Sequence, residues 1–206
     1  MFALVESGSI TKILKGNKGI TIGDNQYPAA IFTIWTEAER KAIGIYTVEA
    51  DNTNYKDTQW YINTNQSIAY DSSADKVKAT YGTATAKAHA DTKWTQSEID
   101  AGQAPAGADT NTVRLEGLKT ILIRQVKTDA KSNLKETDWY VTRKAEEDTA
   151  IPSSITTHRK AVRTKQAAME TAITNAADTP ALETLYTYTV TDGVQSRPLG
   201  DLPRLT

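Results

Sequence analysis

The chain has no cysteine, only two histidines and only two phenylalanines among 206 residues. The first absence excludes disulfide staples, thiolate metal ligands and cysteine nucleophiles. His89 and His158 are too few and too far apart to suggest a histidine-ligated zinc site. Charge of one sign is also missing: 24 Lys and Arg stand against 25 Asp and Glu, a net charge of −1. Nucleic-acid binding normally rests on a clustered cationic face, so neither nucleic acid nor an anionic membrane surface is expected as a partner. The opening "MFALVESGSITKILKG" has no basic head followed by a sustained apolar run. No apolar stretch approaches the ~18 residues of a membrane span. A soluble protein made in the cytosol is the expectation.

Large apolar side chains are scarce as well. The hydrophobic fraction is 39%, below the ~45–50% of ordinary globular domains. A small or discontinuous core follows, along with a need to draw part of the stability from partners.

What remains divides the chain. Residues 1–82 alternate as short strands: "FALVE", "ITKIL", "GITIGDNQYPA" with its Gly-Asp-Asn turn, then 45–49, 57–63, 67–72 and 75–82. "TEAE" at 36–39 is a capping box, in which Thr36 accepts from the Glu39 backbone and the Glu39 carboxylate reaches back. It predicts one short helix from Glu37 to about Ile43, ended by Gly44 in the left-handed region. Residues 83–111, rich in Ala, Thr, Gly and Asp, predict a linker with a helical piece at 95–101. From Thr112 the period is helical, with Val113, Leu115, Leu118, Ile121, Leu122 and Val126 predicting a helix to about Lys135. Asp138 is the N-cap candidate for a second helix over 138–147. Pro152 sits just before Ser153, a further N-cap candidate, and a third helix follows to about Ala177 on a stripe of Ile155, Val162, Met169 and Ala176 beside Ile173. Asp178-Thr179-Pro180 starts a brief last helix within a helical module spanning 112–186. Residues 187–206 predict one strand and an extended tail that needs a partner to become ordered. The fold class is α+β: a small antiparallel β-rich N-terminal domain, then a helical hairpin module.

No Walker, dinucleotide, GxSxG, HExxH or EF-hand spacing occurs. Glu146, Glu147 and Asp148 are adjacent on a helix and do not converge on one reacting atom; a solvated face explains them. His158, Arg159 and Arg163 could grip an anion, but Arg159 and Arg163 are one helical turn apart and suit carboxylates of a neighbouring helix equally well. Trp60, Tyr61, Tyr70 and Tyr81 could stack a sugar or base, although aromatics on alternating strands more often fill a core. Neither an enzyme nor a cofactor or metal protein is expected.

The stretch "DWYVTRKAEEDTAIPSSITTHRKAVR" resembles the C-terminal segment of bacteriophage tail-assembly-chaperone-like and tail-fibre-associated proteins. The matching positions are Asp138-Trp139, Pro152, His158-Arg159 and Val162-Arg163. "GITIGDNQYPAAIFTIWTEAERKAIGIYTVE" is similar in style to the leading domains of phage tail-fibre accessory proteins, through Tyr27, Pro28, Trp35, Glu39, Arg40 and Gly44. The resemblance implies a virion protein of the tail, baseplate or fibre attachment whose partners are tail or tail-fibre proteins, with homo-oligomers possible. It equally allows a tail-fibre assembly chaperone, and a host-glycan module on Trp60, Tyr61 and Tyr70 is the third alternative. In the implied packing Asp138 starts a turn, Trp139 buries its ring where two helices meet, and Arg159 and Arg163 cross-link the hairpin.

Overall fold

The computed structural model of the chain describes residues 1–205, and they form two units, Met1–Thr85 and a second that begins at Ala86. The class is α+β, with strands concentrated in the first unit and long helices in the second.

In the first unit, β1 (Phe2–Glu6) and β2 (Ser9–Leu14) form a hairpin about Ser7 and Gly8, both at positive φ. Strands β3 (Ile20–Ile22) and β4 (Asn25–Tyr27) form a second hairpin, where Gly23 at φ +56° makes the turn possible. Helix α1 (Ile31–Ile34) follows the Tyr27-Pro28 pair and puts Ile31 and Phe32 into the core. Its four residues are too short for a periodic signal, so the sequence predicts only one helix here. Helix α2 (Glu37–Ala42) is that predicted one. The Thr36 hydroxyl accepts from the Glu39 N–H, and the Glu39 carboxylate accepts from the Thr36 N–H at 2.7 Å. Gly44 then turns the chain at φ +80°; a Cβ there would stand 2.7 Å from the Val5 carbonyl.

Strand β5 (Ile45–Asp51) enters a five-stranded sheet of order β2-β1-β5-β8-β7, with β7 (Ser67–Asp71) and β8 (Lys76–Thr80). The pairings are antiparallel except β5 with β8, which run parallel with Val48 opposite Val77. The strand predicted over 57–63 shrinks to β6 (Tyr61–Ile62), because Trp60 and Tyr61 donate back to the Asp57 carbonyl in a tight turn. Leu4, Leu14, Ile20, Ile31, Phe32 and Ile45 make the core, with Phe2, Tyr27 and Trp35 packed on its edge. Residues Thr85–Ala86 (β9) lie at the junction of the units.

The second unit begins inside the stretch expected to be a linker, and that expectation is corrected. Strand β10 (Thr92–Lys93) pairs with β11 (Val113–Leu115), and α3 (Gln96–Asp100) between them carries its own capping box from Thr95 and Glu98. The helix predicted from Thr112 therefore starts later, as α4 (Leu118–Lys135), with Gly117 as N-cap. Val113 and Leu115 belong to the strand and stay exposed. Residues 88–91 serve α4 directly. Leu118 N–H donates to the Ala88 carbonyl at 2.9 Å, Lys119 N–H to the His89 carbonyl at 3.0 Å, and Asp91 accepts from Gly117 N–H and the Thr120 hydroxyl at 2.7 Å each. A helix start leaves its first N–H groups without intrahelical acceptors; this strap supplies them from a distance.

Helix α4 buries Leu118, Leu122, Val126 and Ala130, four residues apart on one side. It packs against α6 (Ser153–Asn175), and the predicted stripe of Ile155, Val162, Met169 and Ala176, with Ile173 beside it, is buried, Ala176 as the C-cap residue. The helices run antiparallel, as the bonds from Lys119 to the Thr174 carbonyl and from His158 to Asn133 require. Between them lies α5 (Asp138–Glu147), and α7 (Thr179–Tyr186) follows, capped by Asp178 and holding Leu182 fully buried. The last residues depart from expectation. Strands β12 (Thr189–Thr191) and β13 (Val194–Ser196) form a hairpin through Asp192-Gly193, and the tail then packs on its own unit through buried Leu199.

Candidate functional site

The stretch that carries the resemblance lies where α4, α5 and α6 meet, and the geometry there centres on Arg159. Its guanidinium donates from Nη1 to the Leu134 carbonyl at 3.0 Å and to Thr137 Oγ1 at 2.6 Å. Nη2 lies 2.9 Å from Asp138 Oδ1. Leu134 O, at the end of α4 where the regular i→i−4 ladder stops, also accepts from the Thr137 N–H at 3.0 Å and from the Thr137 hydroxyl at 2.9 Å. A cation at a helix C-terminus is favoured by the helix dipole as well. One buried arginine thus closes the end of α4 and fixes the first turn of α5.

His158 is buried next to it. Asn133 donates from Nδ2 to the Pro203 carbonyl at 2.8 Å, so its Oδ1 faces the imidazole and accepts from His158 Nε2 at 3.0 Å. The histidine is therefore the first of two links that tie the C-terminal tail to the helical hairpin. Val162 is completely buried in the seam. His158, Arg159 and Val162 are all buried, and the first two are engaged within their own unit. Pro152 is exposed and occupies the N-cap of α6, accepting from Thr156 N–H, so Ser153, expected as the N-cap, is instead the first helical residue.

Three expectations at this junction are corrected. Asp138 is the first helical residue of α5 and Thr137 is the N-cap, since the carboxylate is committed to Arg159. Arg163, one turn after Arg159, makes no cross-link among the described residues; it is exposed at the rim of an open cleft with Leu134, Gln166 and Glu170. Trp139 does not bury its ring, which is 51% exposed. Its neighbour Asp138 is drawn toward α6, and successive helical residues point about 100° apart, so Trp139 is turned outward.

Outside, Trp139 belongs to a small exposed assembly. Its ring stacks on Tyr140 with centroids 3.9 Å apart, and the Arg143 guanidinium lies 4.6 Å from the Trp139 ring and 5.5 Å from the Tyr140 ring. The spacings of three and four residues bring the cation over both rings. Arg143 Nε has no hydrogen-bond partner among the described residues. No residue of α5 is fully buried, and only Tyr140 and Arg143 are half-buried. Sequence reasoning missed Thr137, Asn133 and Arg143. Only Arg143 had a local signal, its four-residue spacing from Trp139.

The other candidates separate cleanly. Trp60 and Tyr61 are 3% and 5% exposed, so neither ring offers a stacking face. Tyr70 and Tyr46 meet edge to face and both donate to Asp75 Oδ1, at 2.9 and 2.8 Å, while Lys41 reaches the Asp75 carboxylate at 3.3 Å. Hydrogen bonds from Tyr46 and then Tyr70 hold the Asp75 carboxyl below the usual range, with Lys41 adding to the effect. Bonding to Tyr70 and then Asp75 pushes the Tyr46 phenol well above its ordinary value. Glu146, Glu147 and Asp148 are exposed, with Asp148 paired to Lys144. Among the described residues no three His, Asp or Glu side chains gather to hold a metal, and no helix is long and apolar enough to cross a membrane. Comparison of the chain with protein-family models, with curated protein sequences and with solved structures finds no match in any of the three.

Proposed function

We propose that the chain is a non-enzymatic component of a bacteriophage tail, at the tail, baseplate or fibre attachment, and that it works by docking onto tail or tail-fibre proteins. The observation that carries the docking role is α5. None of its ten residues is fully buried and eight are exposed, yet its two ends are anchored, by Arg159 at the start and by the Pro152 turn into α6 beyond the finish. A short helix held out in this way, bearing a Trp–Tyr–Arg stack, has the residue types that dominate protein interfaces. The resemblance of Asp138-Trp139, Pro152, His158-Arg159 and Val162-Arg163 to phage tail-associated proteins supplies the biological setting.

A second reading, a tail-fibre assembly chaperone, uses the same surface and differs in whether the contact persists. Burial of Trp60 and Tyr61 speaks against the glycan module. A quantitative protein inventory of purified mature virions separates the first two. Stoichiometric presence, in a multiple matching the tail symmetry, is the expected result; absence from virions with presence in infected-cell lysate would make the protein a dissociating chaperone.

A further inference from the structure

The first unit carries eight cationic side chains, and five of them have partners. Lys41 pairs with Glu37 and Asp75, Lys76 with Glu49, and Lys78 with Asp71. Lys56 lies over the Tyr61 ring, and Arg40 binds the Trp35 carbonyl and lies over Phe2. The three without an ion pair or hydrogen bond among the described residues are Lys12, Lys15 and Lys18. All three line one surface cavity of about 380 Å³, together with Gly16, Gly19 and Phe32. Between Glu6 and Asp24 the sequence holds these three lysines and no acidic residue, so the field in the cavity is positive although the whole chain is net −1.

The loop that carries them is held firmly. Gly16 sits at φ +76°, and a Cβ there would come within 2.7 Å of the Phe2 ring. A Cβ on Gly19 would meet the Tyr27 carbonyl at 2.7 Å. The loop is thus packed down on Phe2 at one end and on the β4 backbone at the other. Among the described residues, the N–H groups of Gly16, Asn17 and Lys18 engage no backbone or side-chain acceptor. Free N–H groups along a turn, beside point-charge ammonium groups, are the usual means of holding an oxyanion.

We infer that the segment Lys12–Ile20, the end of β2 and the loop into β3, binds a phosphate dianion, free or as a monoester. Three unpaired cations lining one cavity exceed what a single carboxylate needs and match a group carrying about −1.5 to −2 charges at neutral pH. The cavity lies at the small end of the roughly 300–1,000 Å³ range of ligand sites, which suits one phosphate on a sugar-sized body. Free phosphate and a phosphorylated sugar share this chemistry. The site is in the other unit from α5 and is independent of the docking proposal.

The test is an amide chemical-shift titration of the full chain at low ionic strength with inorganic phosphate, glucose 6-phosphate and unmodified glucose. Saturable shifts at Gly16, Asn17 and Lys18 with both phosphates, and none with glucose, are expected. Tighter binding of the ester than of inorganic phosphate would assign the cavity to a phosphorylated sugar, and equal binding would assign it to the phosphate alone. Replacing the exposed lysines together (Lys12→Gln, Lys15→Gln, Lys18→Gln) should weaken binding by about tenfold or more, equal to about 1.4 kcal/mol, whereas Lys76→Gln should leave it unchanged. No saturation, or an equal loss in the Lys76→Gln variant, would overturn the proposal.

Discussion

Arg159 donates to the Thr137 hydroxyl across 2.6 Å, and both side chains lie out of reach of solvent. The contact joins residues 22 apart in sequence and sits at the point where α4 stops and α5 begins. Replacing Arg159 with methionine preserves much of the packing but leaves Thr137 and the Leu134 carbonyl short of a charged donor. The second unit should lose on the order of 3 kcal/mol, since one hydrogen bond to a charged group contributes about 1.5–3 kcal/mol. Lysine cannot make the same forked contact and should recover little of that loss. Urea unfolding followed by helical circular dichroism checks both variants.

Trp139 behaves oppositely. Because its ring is half exposed, Trp139→Ala should change the unfolding free energy by less than ~1 kcal/mol, the worth of an exposed ring–cation contact. If α5 is the docking element, the same variant should be depleted from virions while melting normally. A large stability loss with normal incorporation would remove α5 from the docking role.

Gly117 is where the strap meets α4. A Cβ there would stand 2.2 Å from the Ala90 carbonyl carbon, so Gly117→Ala has to push residues 88–91 away. The expected cost is roughly 1–3 kcal/mol, as for overpacking elsewhere. Hydrogen exchange gives the sharper readout: the amides of Leu118 and Lys119, which lose the Ala88 and His89 carbonyls, should lose protection before the middle of α4 does.

The Asp75 cluster predicts a pH dependence at each end of the scale. The Asp75 carboxyl lies below its unfolded value, so its stabilising contribution is present above the unfolded pKa of ~3.9. It is lost as pH falls through the lower folded value. The Tyr46 phenol is raised, so its contribution is complete below the unfolded value of ~10 and fades as pH climbs toward the higher folded one. In the Asp75→Asn variant both the acid-side and the alkaline-side dependences of first-unit unfolding should flatten. Unchanged slopes on both sides would show that the cluster does not govern them.

Features visible in the sequence were those governed by neighbours along the chain. The Thr36–Glu39 box, Gly44, the Pro152 start of α6 and the seven-residue stripe from Ile155 to Ala176 are all local patterns, and each holds in the structure. The helical piece expected at 95–101 inside the supposed linker is α3, and the box that starts it, Thr95 with Glu98, is an equally local pattern that the sequence reading did not use. What failed depended on distant partners. Asp91 and the carbonyls of Ala88 and His89 acquire a role only when Gly117 and Leu118 arrive beside them. Trp139 looked like a core residue because tryptophan is usually buried; the Asp138–Arg159 pair decides its direction, and that pair spans α5 and the turn. The Asp192-Gly193 hairpin was legible, for that dipeptide between strand-forming residues is a strong turn signal, and the single-strand reading passed over it.

The strap of residues 88–91 also sets an order of events. Synthesis runs from the N-terminus, so the acceptors that cap α4 leave the ribosome before the helix that needs them. The last tie of that region is the Thr179 hydroxyl, which donates to the Lys87 carbonyl at 2.6 Å across 92 residues. Until α7 has been made, that bond is missing. A nascent chain stalled before Thr179 should therefore carry a capped α4 whose cap is pulled off more easily than in a chain stalled beyond α7.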